Sequence, residues 1–387
     1  MSLPAGYEQA AWSWTEHLRH GGTRTWTDWL SSGCGADAVV PGGWPVPGAA
    51  QLEVVRRLAT VSSLGEPAFT RLADLVLGRS APGRGLAHQP LSWPDPPPGR
   101  RFGAPPADPS DVPGEELLRV AAGTLAELAL GVPATRERPP RRGLLSRGAR
   151  VEVVGAPVTA AAVRQRLGLT TGSTGRVSDV VVLVQPFDRL LAEVWSARVQ
   201  RGAPVRWRGF LRRWSGRPGL PPAADLPGLA RQAADRVGAE RVHLVGTDGD
   251  PTAAVADVLG LRARPGEAPP RLRDLGPEAV DLCRRVNAVL AVRVDRQRHR
   301  TALAGLVPAL ASPGHGDGLT VPRRRRRWAL TRAEGLAEDL RSGGYRVHGD
   351  LGRLVPAFAG VTGPDRGEEL AVALSACARL GEEWTGG

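Results

Sequence analysis

The stretch 151–169 reads VEVVGAPVTAAAVRQRLGL. It opens with a short, mainly apolar run of strand character, VEVVG, and breaks at a glycine. It continues as APVTAAAVRQRLGL, whose alanines and long side chains favour a helix. The same grammar recurs twice. DVVVLVQP (179–186) reads as a buried strand followed by the helix FDRLLAEVWSARVQRG, and ERVHLVG (240–246) as another followed by DPTAAVADVLGL, which Asp250 is placed to cap. Strand, turn and helix in threefold succession predict an α/β domain with a parallel sheet. At the first of these turns, a helix N-terminus presents free backbone N–H groups suited to an anion, with Gly155 allowing close approach and Thr159 adding a hydroxyl. An ordinary strand-to-helix turn, with proline near the helix start, accounts for the same residues and is the reading that spacing alone favours.

Outward from this core the texture changes. Residues 6–31 predict a helix, a stop at Gly21–Gly22 and a second helix capped by Thr25. AAQLEVVRRLATV, PAFTRLADLVLGRS and GEELLRVAAGTLAELAL (114–130) carry apolar residues at helical spacing, while 81–113 is too rich in proline for regular structure, with Trp93 and Phe102 as candidate anchors. A basic connector spans 131–150, and 276–387 reads as four helices with a short strand or turn in YRVHGDLGRLVPAF. The expected organisation is a mainly helical N-terminal region, 1–145, and an α/β domain, 146–387, with a helical C-terminal part.

Composition narrows the chemistry. The net charge is +12, and every one of the 51 basic residues is arginine, since the chain has no lysine. Isoleucine is also absent and Asn287 is the only asparagine, the pattern of a strongly G/C-biased genome. Generic basicity is therefore the first reading of the charge, ahead of a dedicated nucleic-acid surface. The missing lysine excludes a Walker-type lysine, a Schiff base and a lysine general base. Cys34, Cys283 and Cys377 are scattered without metal spacing, which suits a reducing compartment. Neither a signal peptide nor a run of about 18 apolar residues is present, so a cytoplasmic protein without a membrane span is expected.

The order VEVVGAPVT, DVVVLVQPFDRLLAEVWSARVQRG, WRGFL, ERVHLVG, DPTAAVADVLGL, followed by PEAVDLCRRVNAVL and PRRRRRWALTRAEGLAEDLRSGGYRVHGDLGRLVP, resembles sulfotransferase-like proteins of high-G/C, actinobacterial-type bacteria. The likeness spans about 151–357, is closest at 328–356, and leaves 1–145 aside. It implies a P-loop/sulfotransferase-like parallel-sheet domain that binds 3′-phosphoadenosine 5′-phosphosulfate. The implied donor-site positions are Gly155, Pro157, Thr159 and Ala160, with Arg189 or Arg164 as substitute cations. Against the family's phosphate loop, Val158 stands where a basic residue is common, Ala160 where glycine is needed, and Ala161 and Ala162 where hydroxyls would sit. Gln185 takes the place of the family's arginine after the next strand, and Glu193, eight residues on, that of its serine. Losing a cation and gaining a carboxylate disfavours a phosphate. The expectation is thus a degenerate, non-catalytic binding or scaffold protein with no cofactor. The alternatives are an active sulfotransferase acting on a sugar or envelope glycan, and a nucleic-acid-associated basic protein.

Three further features were candidates. His243, inside an apolar strand, reads as structural rather than as a base. GTDGDP (246–251) offers Asp248 and Asp250 to a metal or ribose, although a turn and helix cap explain them equally. PRRRRRW places Arg323, Arg324, Arg325, Arg326 and Arg327 ahead of a helix, where they oppose its dipole. A solvated turn and a docking point for an acidic glycan, nucleic acid or membrane headgroup are both open readings of this run; among partners, a protein or acidic glycan stands ahead of nucleic acid. Finally, WTEHLRHGGTRTWTDWL (14–30) aligns without a gap on WSARVQRGAPVRWRGFL (195–211), which predicts a repeated helix–glycine–helix hairpin.

Overall fold

The computed structural model describes residues 6–33, 46–78, 89–94, 105–131, 150–169, 177–246, 249–261, 272, 274–311 and 318–384. Most of the proline-rich stretch 81–113 and of the connector 131–150 lies outside them, as do Phe102, Cys34 and Asp248. The chain forms two compact units. The first comprises Met1–Ala134, Arg285–Leu310 and Asp365–Gly387, and the second Thr135–Arg284 and Ala311–Pro364.

The first unit is helical, and it takes in C-terminal segments that the sequence assigned to the other domain. The cause lies in α5 (Gly114–Gly131), whose buried positions, among them Leu117, Leu118, Val120, Leu125 and Leu128, run round the whole helix. A helix apolar on all sides must be covered on all sides. Helices α3 (Ala49–Val61) and α4 (Glu66–Leu77) cover part of it, and α12 (Arg296–Leu310) and α14 (Arg366–Glu383) the rest. An ion network fixes the arrangement: Arg285 donates to Glu369 at 2.7 Å and grips Glu115 at 2.7 and 2.9 Å. Glu369 is fully buried and is shared by two arginines, since Arg366 also donates to it at 2.6 Å.

The second unit is built on one parallel sheet in the order β1 (Arg150–Val154), β2 (Val177–Val184), β3 (Val242–Gly246), β4 (Arg346–His348). Val180 to Val184 are completely buried, which explains why β2 reads as an unbroken apolar run rather than an alternating one. The helices of this unit are α6 (Pro157–Arg166), α7 (Phe187–Gln200), α8 (Trp207–Ser215), α9 (Leu226–Val237), α10 (Pro251–Leu259) and α13 (Arg326–Arg341), and α11 (Pro277–Leu290) runs across the boundary between units. Three of the four strands follow directly from the sequence. The fourth is only three residues long and exposes Val347, too little to show a period. Among the described residues no helix is long and apolar enough to cross a membrane.

The repeated hairpin is present in both units with the same internal bonds. Helix α1 (Tyr7–Arg19) runs through Gly21 into α2 (Trp26–Ser31), as α7 runs through Gly202 into α8. Gly21 and Gly202 have φ of 83° and 98°, the left-handed turn that glycine adopts without strain. The Trp14 indole donates to the carbonyl of Arg24 at 3.1 Å, and the Trp195 indole to that of Val205 at 2.8 Å. Trp14 and Trp26 lie 5.2 Å apart at 51°, Trp195 and Trp207 5.6 Å apart at 54°. The surroundings differ: Trp26 also donates to Ser92 and packs beside Trp93, the anchor expected of the proline-rich arm. Trp14→Phe and Trp195→Phe should each cost about 1–3 kcal/mol, because each removes the indole's hydrogen bond and leaves a gap at a fully buried ring. Urea unfolding followed by circular dichroism measures this; a neutral effect in either variant would mean the indole bond does not hold that hairpin.

Candidate functional site

The turn between β1 and α6 consists of Gly155 and Ala156 alone. Gly155 has φ of 77°, and a Cβ there would lie 2.8 Å from the Leu183 carbonyl oxygen, so the turn can pack on β2 only with glycine. Ala156 holds φ of 26°, a strained value for an L-residue. Pro157 occupies the first turn of α6, where its missing N–H leaves nothing unsatisfied. The next two N–H groups, of Val158 and Thr159, converge on one point in space.

That point is a side chain of the protein itself. Oε2 of Glu193, on α7, accepts from Val158 N–H and Thr159 N–H, both at 3.0 Å. Its Oε1 accepts from the Thr159 hydroxyl at 2.6 Å and from Nε2 of Gln185 at 2.9 Å. Gln185 directly follows β2 and is buried. The carboxylate therefore takes the role of a bound anion at the helix N-terminus, with charge-assisted bonds and the helix dipole favouring it. Burial pushes the Glu193 carboxyl up from its ordinary range, and the bonds from Thr159, Gln185 and Val158 pull it back.

Of the other positions that the resemblance implies, Ala160 and Arg164 are engaged within the fold. The N–H of Ala160 is already bonded to the Ala156 carbonyl at 2.8 Å, and its side chain is buried. Arg164 donates to the Val153 carbonyl at 2.5 Å and so braces β1. Arg189 is exposed on α7, and its guanidinium makes no hydrogen bond or ion pair with any described residue. The residues present do not fit the sulfuryl donor: a phosphate would have to displace a carboxylate that already uses the seat's donors. At about 4 Å and an effective dielectric near 20, repulsion between two unit charges is about 4 kcal/mol. The sequence singles out Gln185 and Glu193 only through the resemblance; their pairing with each other and with the turn appears only in three dimensions.

A second polar cluster crosses the sheet. Nδ1 of His243 lies 3.0 Å from Nε2 of His348, the rings stack at 5.2 Å, and Asp179 approaches the far side of His243 at 3.5 Å. Arg241 also faces Asp179 at 3.5 Å. One imidazole must donate to the other, so the accepting ring nitrogen carries no proton. His243 is thus buried in a paired, strand-bridging role, and its partner resides in the strand that the sequence shows least clearly. Asp250 caps α10 by accepting from Thr252 N–H at 3.0 Å. Of the arginine run, Arg323, Arg324 and Arg327 are exposed, while Arg325 and Arg326 are half-buried. Among the described residues no three His, Cys, Asp or Glu side chains form a set that could hold a metal.

Glu193→Gln keeps the shape but turns an N–H₂ group toward donors, and should lower stability by about 1–3 kcal/mol; unchanged denaturant unfolding would show that the carboxylate is not the clamp. Burial, His243 and Arg346 all lower the pKa of His348. A histidine with a folded pKa below its unfolded value of about 6.5 loses stability as pH falls from there toward the folded value. The melting temperature should therefore drop between neutral and mildly acid pH, and His348→Gln should reduce that drop. An identical pH profile in the variant would remove the histidine pair as its source.

Comparison of the chain with protein-family models, with curated proteins and with solved structures yields no match.

Proposed function

We propose that the chain is a non-catalytic binding or scaffold protein built on a sulfotransferase-like domain whose donor site has become structural. The observation that carries this reading is the Glu193 carboxylate, which takes hydrogen bonds from Val158, Thr159 and Gln185 where the donor's phosphate would be held. The sulfotransferase likeness itself rests on the sequence pattern at 151–357 and is consistent with a parallel sheet whose first strand turns into a helix. A cytoplasmic setting belongs to the same proposal, supported by the sparse cysteines, of which Cys283 and Cys377 are buried and unpaired.

The role then falls to surfaces rather than to a reaction centre. Isothermal titration with adenosine 3′,5′-bisphosphate tests the proposal. No binding is expected at micromolar concentrations. A micromolar Kd, about −8 kcal/mol, would restore the active sulfotransferase reading.

A further inference from the structure

The acid-free stretches of the chain meet on one face of the second unit. Residues 194–224 contain seven arginines and no Asp or Glu, and residues 318–333 contain six arginines and none. They are far apart in sequence, yet α8 and the turn leading into α13 are joined by direct bonds. Nε of Arg325 donates to the Ser215 hydroxyl at 3.2 Å, and Arg332 donates to the Arg217 carbonyl at 3.4 Å.

The face is built, not frayed. Helix α8 buries Trp207, Phe210 and Leu211 and turns Arg208, Arg212 and Arg213 to solvent. Just before the arginine run, Thr320 is fully buried, and its hydroxyl donates to Asp188 on α7 at 2.8 Å. Its N–H reaches the Val361 carbonyl at 2.9 Å. Arg326 lies over the Phe358 ring at 4.9 Å, and Arg213 and Arg217 lie over Trp214 at 5.9 and 5.8 Å. None of the exposed arginines on α8 or in the run has a carboxylate partner among the described residues. Concentrating like charges at the N-terminus of α13 opposes its dipole, and the exposed Arg323, Arg324 and Arg327 offset this with no ion pair among the described residues.

We propose that this composite α8–α13 face binds a nucleic acid through its phosphate backbone. Guanidinium forks match phosphate oxygens, and a chain of regularly spaced phosphates satisfies cations spread over two elements. Neither α8 nor α13 exposes a large apolar side chain. Among the described residues the face therefore offers no exposed apolar wedge for a lipid surface. The inference does not depend on the state of the donor site.

The test is fluorescence anisotropy of the full chain with a labelled short duplex oligonucleotide across a salt series. Binding should weaken steeply with salt, with a slope of about −0.9 per phosphate neutralised, and shuffling the base sequence should change little. Replacing Arg208, Arg212 and Arg213 together by Gln, and separately Arg323, Arg324 and Arg327, should each flatten the slope by about 2–3. These arginines are exposed and have no carboxylate partner among the described residues, so circular dichroism should show both variants folded. Absent or salt-indifferent binding, or slopes unchanged in both variants, would overturn the proposal. So would retention of heparin, an acidic peptide or anionic vesicles without retention of the duplex.

Discussion

The second unit depends on one buried anion interaction, and the protein supplies the anion. The N-terminus of α6 must satisfy N–H groups turned away from solvent beside a strained two-residue turn. Glu193 satisfies two of them, and with Thr159 and Gln185 it joins the end of β1, the end of β2 and α7 at a single carboxylate. These are the carboxyl ends of adjacent parallel strands, where open α/β sheets place their ligands. A helix N-terminus there can hold an anion, and in this chain the Glu193 carboxylate is that anion. Gly155 shows how little freedom remains, since only a hydrogen at its α-carbon fits against β2.

Elsewhere, local rules repeat where the surroundings do not. The two tryptophan hairpins share the glycine turn, the indole-to-carbonyl bond and the tilt of the ring pair. The residues facing outward differ: His17 stacks on Trp29 in the first copy, while the second copy presents arginines to solvent. What recurs is a self-sufficient way to close a helical corner. A shared ligand would have held the intervening side chains alike.

Much of this was legible in the sequence. The three long strands, the caps at Thr25 and Asp250 and the hairpin all rest on neighbours within a few residues, so pattern and spacing reveal them. Four features rest on contacts between distant residues and were legible in part or not at all. Strand β4 falls in YRVHGDLGRLVPAF, which in sequence reads as either a short strand or a turn; three residues show no period, and its pairing with β3 decides between the two. The membership of α12 and α14 in the first unit follows from the all-round burial of α5, which periodicity around 114–130 does not show. At the site, Gln185 and Glu193 were visible as misfits to a donor, but their mutual bond was not. The arginine run was read as one patch; its continuation onto α8 depends on bonds from Arg325 and Arg332 to residues more than a hundred positions away.

The central claim concerns the backbone amides of Val158 and Thr159, and their NMR resonances report on it most directly. They should stay in place when adenosine 3′,5′-bisphosphate or inorganic sulfate is added to the native protein, and shift when Glu193 is replaced by Gln. Ligand-dependent movement of these two amides in the native protein, with little response to the substitution, would show that the seat is open to an external anion and that the carboxylate is not its occupant.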